Sequence, residues 1–235
     1  MKNVTEFAKL DNMAIMTATP IQLAQRITDK ILTGEFEPGG KILEIPLAAD
    51  LGVSRNTLRE AFRLLARDGL IEQIPHRGVF VRALEPKDII ELYAYRRFIE
   101  LGALQYFGLD VPRTEAALRG MNRAITAAEE AARQQQWAEV GTHNNAFHDH
   151  LVSLAGIPRL NENLTLVMAH ARLAFMAVTS VEEMHRPFIQ RNRDILTALI
   201  KGDVDKATTV LTRYLKESEA KILAEMTFGV SADKR

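Results

Sequence analysis

At 235 residues without a single cysteine, the chain can support two modest domains but neither a disulfide nor a thiolate metal site. Its 47% apolar and 26% charged residues exclude a disordered or fibrous protein, and no apolar run reaches the length of a membrane span. Basic and acidic residues balance at 30 each, so a nucleic-acid partner would have to meet a local patch and not the average charge.

Residues 1–18 carry no sustained period and read as a loose arm; without the apolar core of a secretion signal, the chain is expected in the cytoplasm. Thr19-Pro20 then opens a helix, a hydroxyl cap followed by the proline favoured at the first helical position. Ile21, Ala24, Ile27 and Ile31 supply its apolar stripe, and Gly34 stops it. After the turn Glu37-Pro38-Gly39-Gly40, a short helix carries Leu47, Ala48 and Leu51 as far as Gly52. Ser54 caps a third helix with the apolar face Leu58, Ala61, Phe62 and Leu65, ended by Gly69. Leu70–Ile74 and Val79–Val81 read as strands around Pro75-His76-Arg77-Gly78. Three helices and a hairpin make residues 19–84 a winged helix-turn-helix.

Leu84-Glu85-Pro86 is the expected boundary to a second domain, residues 85–229, followed by a tail at 230–235. Its helices fall near 86–107, 114–136, 138–155, 159–180, 187–201 and 203–227, with Pro187 among the separators. The fold class is therefore mainly α: a winged helix-turn-helix with a small β-hairpin wing, then an all-α antiparallel bundle.

The chemistry of the first domain is legible around Gly52–Ala61. The glycine permits a tight reversal, Ser54 satisfies orphan amides, and the helix start so formed is where a recognition helix meets base edges and phosphates. Ser54, Arg55, Asn56 and Thr57 occupy that start, and Arg55, Arg59 and Arg63 follow at four-residue steps on one face. A guanidinium fork suits both guanine edges and phosphate. The wing tip adds His76, Arg77 and Gly78. Between Ser54 and Arg82 six arginines face three acids, an excess of three positive charges that the neutral average conceals.

The ordered pattern from Gly34 to Val81 resembles the DNA-binding domain of the GntR family of bacterial regulators. It runs through Pro38-Gly39, Leu47-Ala48, Leu51-Gly52-Val53-Ser54-Arg55, Leu58-Arg59-Glu60-Ala61, Asp68-Gly69-Leu70 and Arg77-Gly78 to Phe80-Val81. The resemblance implies a homodimer on an operator of two-fold symmetry, with Arg55, Thr57, Arg59 and Gly78 where members touch DNA. Asn56-Thr57 replaces the Thr-Pro common after Ser-Arg, which leaves base preference open there.

The second domain is similar to the FadR-like branch, through Leu92, Arg96, Ile99-Glu100, Asn144, Phe147-His148, Leu151, Ala155-Gly156 and Gly202-Asp203. That branch often holds a divalent metal with an Asp or Asn and three His. The matching positions here are Asn144, His148, Asn192 and Tyr214, so two of the usual histidines are an amide and a phenol. Those are poor neutral donors, and no metal cofactor is expected; a weak site would rest on Asn144 and His148. The same five inward positions, Arg96, Asn144, His148, Asn192 and Tyr214, form the expected effector site. It reads as one cation and several neutral groups with no carboxylate, suited to a small organic acid. An equally open reading pairs Arg96 with Glu100, one turn away. His143, His150, His170 and His185 read as structural or surface residues. No nucleophile elbow, phosphate loop or paired Glu-x-x-His motif is present, so no enzyme is expected. The expected function is a regulator, a repressor in its simplest form, controlled by a carboxylate-type metabolite. The alternatives are a DNA-binding dimer without effector control, or one keeping a metal-dependent effector site.

Overall fold

A computed structural model describes residues 18–176 and 181–232, in two compact units that divide between Ala83 and Leu84. The expected arm lies outside the described residues save for residue 18.

The first unit begins with α1 (Pro20–Leu32), opened by a reciprocal capping box. The Gln22 amide donates to Thr19 Oγ1 at 3.2 Å, and the Thr19 amide to Gln22 Oε1 at 3.0 Å. Its buried face is Leu23, Ile27 and Ile31; the expected Ile21 is 73% exposed, because a strict four-residue step from Leu23 fits the core better. There follow β1 (Lys41–Ile42), α2 (Glu44–Asp50), α3 (Arg55–Arg67), β2 (Ile71–Ile74) and β3 (Gly78–Val81). The sheet is antiparallel in the order β1-β3-β2, with Lys41 opposite Phe80 and Ile71 opposite Val81. Strand β1 adds to the expected hairpin: two residues are too short to show a period, yet they cover the outer edge of β3. Leu58, Ala61, Phe62 and Leu65 bury one face of α3, leaving its arginines outward.

The second unit, all helical among its described residues, runs α4 (Pro86–Leu104), α5 (Val111–Arg133), α6 (Trp137–Val152), a short 3₁₀ turn (Ser153–Ala155), α7 (Pro158–Met176), α8 (Val181–Ile200) and α9 (Val204–Ala232). Helix α5 pairs with α6, and α9 packs against both α4 and α8. Pro187 lies inside α8 and does not bound it. An internal proline leaves the carbonyl four residues earlier without its helical donor. Here that carbonyl, Glu183 O, accepts from Lys221 Nζ of α9, so a tertiary contact replaces the missing bond. Helix α9 continues to Ala232, past the expected boundary at 229.

Two glycines permit the close pairing of α5, α6 and α8. A Cβ at Gly120 would lie 2.5 Å from the His150 ring, and one at Gly141 would lie 2.9 Å from His185 Nε2. His185 is accordingly buried, its ring 5.1 Å from that of Phe175. Burial, with Arg172 nearby, pushes its pKa down to about 4.

Candidate functional site

In the first unit the site is built on the start of α3. The Ser54 hydroxyl accepts from the Thr57 amide at 3.1 Å and lies 2.8 Å from the Thr57 hydroxyl. That cap fixes the first turn and leaves Ser54, Arg55 and Asn56 exposed, with Arg59 and Arg63 one and two turns further on. Opposite them stands the wing. His76 takes the left-handed conformation (φ 61°) and Gly78 an even less accessible one (φ 111°), which together reverse the chain between β2 and β3. A Cβ at Gly78 would meet Lys41 Cε at 3.1 Å, so the glycine also lets Lys41 cross the wing.

Between helix and wing run two adjoining grooves. One, of about 470 Å³, is lined by Lys41, Leu43, Ile45, Arg55, Arg59 and Arg77, among others. The other, of about 510 Å³, takes in Arg59, Arg63, Gln73, Pro75 and His76. Of the nine expected DNA-contacting residues, Arg55, Arg59, Arg63, His76, Arg77 and Gly78 therefore share this surface, while Ser54, Asn56 and Thr57 flank it at the helix cap. Two further residues belong to it. Lys41 lies over the Phe80 ring at 5.8 Å, as does Arg77 at 5.7 Å, so one aromatic ring carries two cations. Glu44 accepts from Arg59 Nε at 3.2 Å, occupying one edge of that guanidinium. Neither stands in the Gly52–Ala61 segment; only the strand pairing of Lys41 with Phe80 brings the segment before α2 to the wing.

The second unit encloses a different constellation. Arg96, Asn144, His148, Asn192 and Tyr214 are all buried, as expected of one inward site, but Glu100 is buried with them. The expectation of a cation without a carboxylate is thereby corrected. Arg96 Nε donates to Glu100 Oε1 at 2.7 Å, and the other oxygen of Glu100 lies 2.6 Å from His148 Nδ1. Burial alone would lower Arg96 and raise Glu100; their mutual attraction wins, holding the arginine above its usual pKa and the carboxyl down to about 2. His148 is pushed down, by burial first and by Arg96, against the opposing pull of Glu100. It is therefore neutral near pH 7. A carboxylate can only accept, so Nδ1 carries the proton and Nε2 keeps a lone pair.

A second chain of contacts lies beside the first. Asn144 Oδ1 accepts from Asn192 Nδ2 at 2.8 Å and from the Tyr214 hydroxyl at 3.1 Å. Burial keeps the phenol well above its ordinary pKa, hence protonated. The two chains meet where the His148 and Tyr214 rings stand 5.0 Å apart, with Phe188 closing on Tyr214 at 4.6 Å. Three buried polar atoms of this cluster have no hydrogen-bond partner: Arg96 Nη2, His148 Nε2 and Asn192 Oδ1. Their chemistry is mixed, one cationic donor and two acceptors.

Known proteins share both units. The pattern described as "Bacterial regulatory proteins, gntR family" matches residues 21–81, and "FCD domain" matches residues 91–217, over half of the chain. The HTH-type transcriptional regulator YdhC of Bacillus subtilis (strain 168) is 30% identical over 84% of this chain and 89% of its own length. The chain belongs to the GntR family. A GntR regulator structure from Rhodococcus sp. RHA1 is 36% identical, covering 87% of this chain and 97% of its own at a TM-score of 0.81. This GntR protein is also 29% identical to a Paenarthrobacter nicotinovorans relative, over 85% of this chain and 86% of that one. The relative's name is "Probable D-xylose utilization operon transcriptional repressor". The protein is thus a DNA-binding transcriptional regulator with an FCD effector-binding domain, and no described helix is long and apolar enough to cross a membrane.

Proposed function

We propose that this GntR-family chain is a cytoplasmic, homodimeric repressor. In this reading, a carboxylate-bearing metabolite held among the buried polar groups of the helical domain controls its operator affinity, without a metal. What carries the DNA half is the single surface joining Arg55, Arg59 and Arg63 to His76 and Arg77, matched to the two sides of a groove. Repression has support from the printed name of the Paenarthrobacter relative.

The dimer has support from the outer face of α4 and the turn after it. Ile90, Phe98 and Leu109 are 52%, 83% and 75% exposed, an apolar display that water does not favour and a second copy would cover. Phe98→Glu is expected to convert a sedimenting dimer into a monomer without unfolding it. A dimer unaffected by that charge would place the interface elsewhere.

The effector half rests on the three unpaired atoms. An acid group would accept from Arg96 Nη2, and a neighbouring hydroxyl or ammonium would donate to His148 Nε2 or Asn192 Oδ1. Because Glu100 already neutralises Arg96, a ligand with its own donor suits the cluster better than a bare anion. A divalent ion suits it poorly. Asn144 Oδ1 is occupied by two donors, Tyr214 stays protonated, and one imidazole with two amides is a weak set. Since the cluster is buried, entry of a ligand must part packed side chains, which gives it leverage over how the two readers are held.

Thermal unfolding with a panel of small acids tests this. Hydroxy or amino acids at one hundred times Kd should add about 2.7 kcal/mol of stability, and their amides little. Operator release should follow the same ranking. Tightly held metal at one ion per chain, bound through His148, would contradict it.

A further inference from the structure

Leu43 and Ile45 are large aliphatic side chains left 57% and 61% exposed. A single exposed aliphatic residue is ordinary. These two, however, line the groove that Lys41, Arg55, Arg59 and Arg77 also line, at the surface already assigned to the operator. Phosphates and guanine edges give an isoleucine nothing to bind. On the major-groove edge of a base pair the one apolar group is the thymine C5-methyl.

The residue between them explains how both chemistries coexist. Glu44, at the first position of α2, takes Arg59 Nε at 3.2 Å. A carboxylate in that groove would otherwise repel phosphate. Paired to the side edge of the guanidinium, it neutralises itself and restricts the swing of Arg59, leaving the terminal nitrogens to fork onto a base. Leu43 and Ile45 flank Glu44 in the sequence and, with Glu44 and Arg59, border the same groove.

We infer that Leu43 and Ile45 form an apolar reading surface for thymine methyl groups in the operator, with Glu44 positioning Arg59 for a neighbouring base pair. The occupant of this part of the groove is DNA and not a second copy of the chain, because four basic side chains border it. The surface makes the operator preference include thymine at fixed places in each half-site.

The intact protein should first be used to select its operator from a random duplex library. Each thymine is then replaced singly by deoxyuridine, which removes only the methyl group. At one or two positions per half-site the wild-type protein should bind the uracil duplex about four-fold more weakly, the loss expected for one buried carbon. Ile45→Ala or Leu43→Ala should abolish that difference at one position, binding thymine and uracil duplexes alike with the wild-type affinity for uracil. Both side chains are more than half exposed, so the variants should melt as the wild type does. Indifference of the wild-type protein to every uracil would overturn the inference, as would a uracil penalty unchanged in both variants. A change in the sedimentation of the DNA-free variants would assign the surface to self-association instead.

Discussion

Arg96→Ala is expected to destabilise the helical domain by about 3–5 kcal/mol, because it strands the buried carboxylate of Glu100 without its counter-charge. Against a total stability on the order of 5–15 kcal/mol, that is enough to compromise folding. Trp137, the sole tryptophan, lies on α6, so its fluorescence in urea reports this unit directly. The paired replacement Arg96→Met with Glu100→Leu should recover part of the loss, since it removes both charges together but leaves the His148 Nδ1 proton without its acceptor. A double-mutant cycle would thus show strong coupling, and additive losses would refute the ion pair. The pH dependence has a definite sign. A carboxyl lowered from 4.5 to about 2 stabilises the fold above 4.5 and loses that contribution as pH falls towards 2. His185, lowered from 6.5 to about 4, acts in the same direction starting at higher pH, since the unfolded chain takes up its proton first. Acid should therefore weaken this unit progressively from about pH 6.5 downward, first through the histidine and then through the carboxylate.

The reach of the sequence differed between the two units for a physical reason. In the reader, function and local structure coincide. The glycine before α3, the Ser54 cap and the arginines at four-residue steps all lie within one stretch, so their joint purpose could be read along the chain. Lys41 and Glu44 escaped because they reach the site through a two-residue strand whose only evidence is its partner, Phe80. In the helical unit the inward positions of Arg96, Asn144, His148, Asn192 and Tyr214 followed from periodicity and resemblance, but their partners did not. That Asn192 and Tyr214 both donate to Asn144 depends on how α6, α8 and α9 approach one another. Glu100 was visible as a one-turn neighbour of Arg96, yet its second contact, to His148 of α6, was not. Pro187 misled for the complementary reason: the lysine that satisfies its orphaned carbonyl comes from another helix.

The second large effect concerns operator binding. Arg55→Ala and Arg59→Ala should each cost about 1–3 kcal/mol per half-site if the guanidinium forks onto a guanine, and the fold should be untouched because both side chains are exposed. The two replacements differ in what they leave behind. Arg55 has no hydrogen-bond or ion-pair partner among the described contacts, so its loss is that of its DNA contact alone. Removing Arg59 also frees Glu44, placing an unpaired carboxylate in the groove proposed to receive phosphates and bases. Arg59→Ala should accordingly be the more damaging, and Glu44→Gln added to it should recover part of the affinity. Recovery should be absent when Glu44→Gln is added to Arg55→Ala. Equilibrium titration of a labelled operator duplex, repeated over a range of salt, measures both. The steep salt dependence expected from counterion release should also become shallower wherever the lost arginine neutralised a phosphate.

The central claim is that two copies of this reader grip one operator through the start of α3 and the wing. Hydroxyl-radical footprinting of the selected operator with the intact protein tests it most directly. Two symmetric protected half-sites should appear, their centres separated by about 10–10.5 base pairs or a multiple of that. Both should vanish together in Arg55→Ala or Arg59→Ala at concentrations where the wild-type protein protects fully. A single asymmetric footprint, or protection indifferent to both substitutions, would contradict the account.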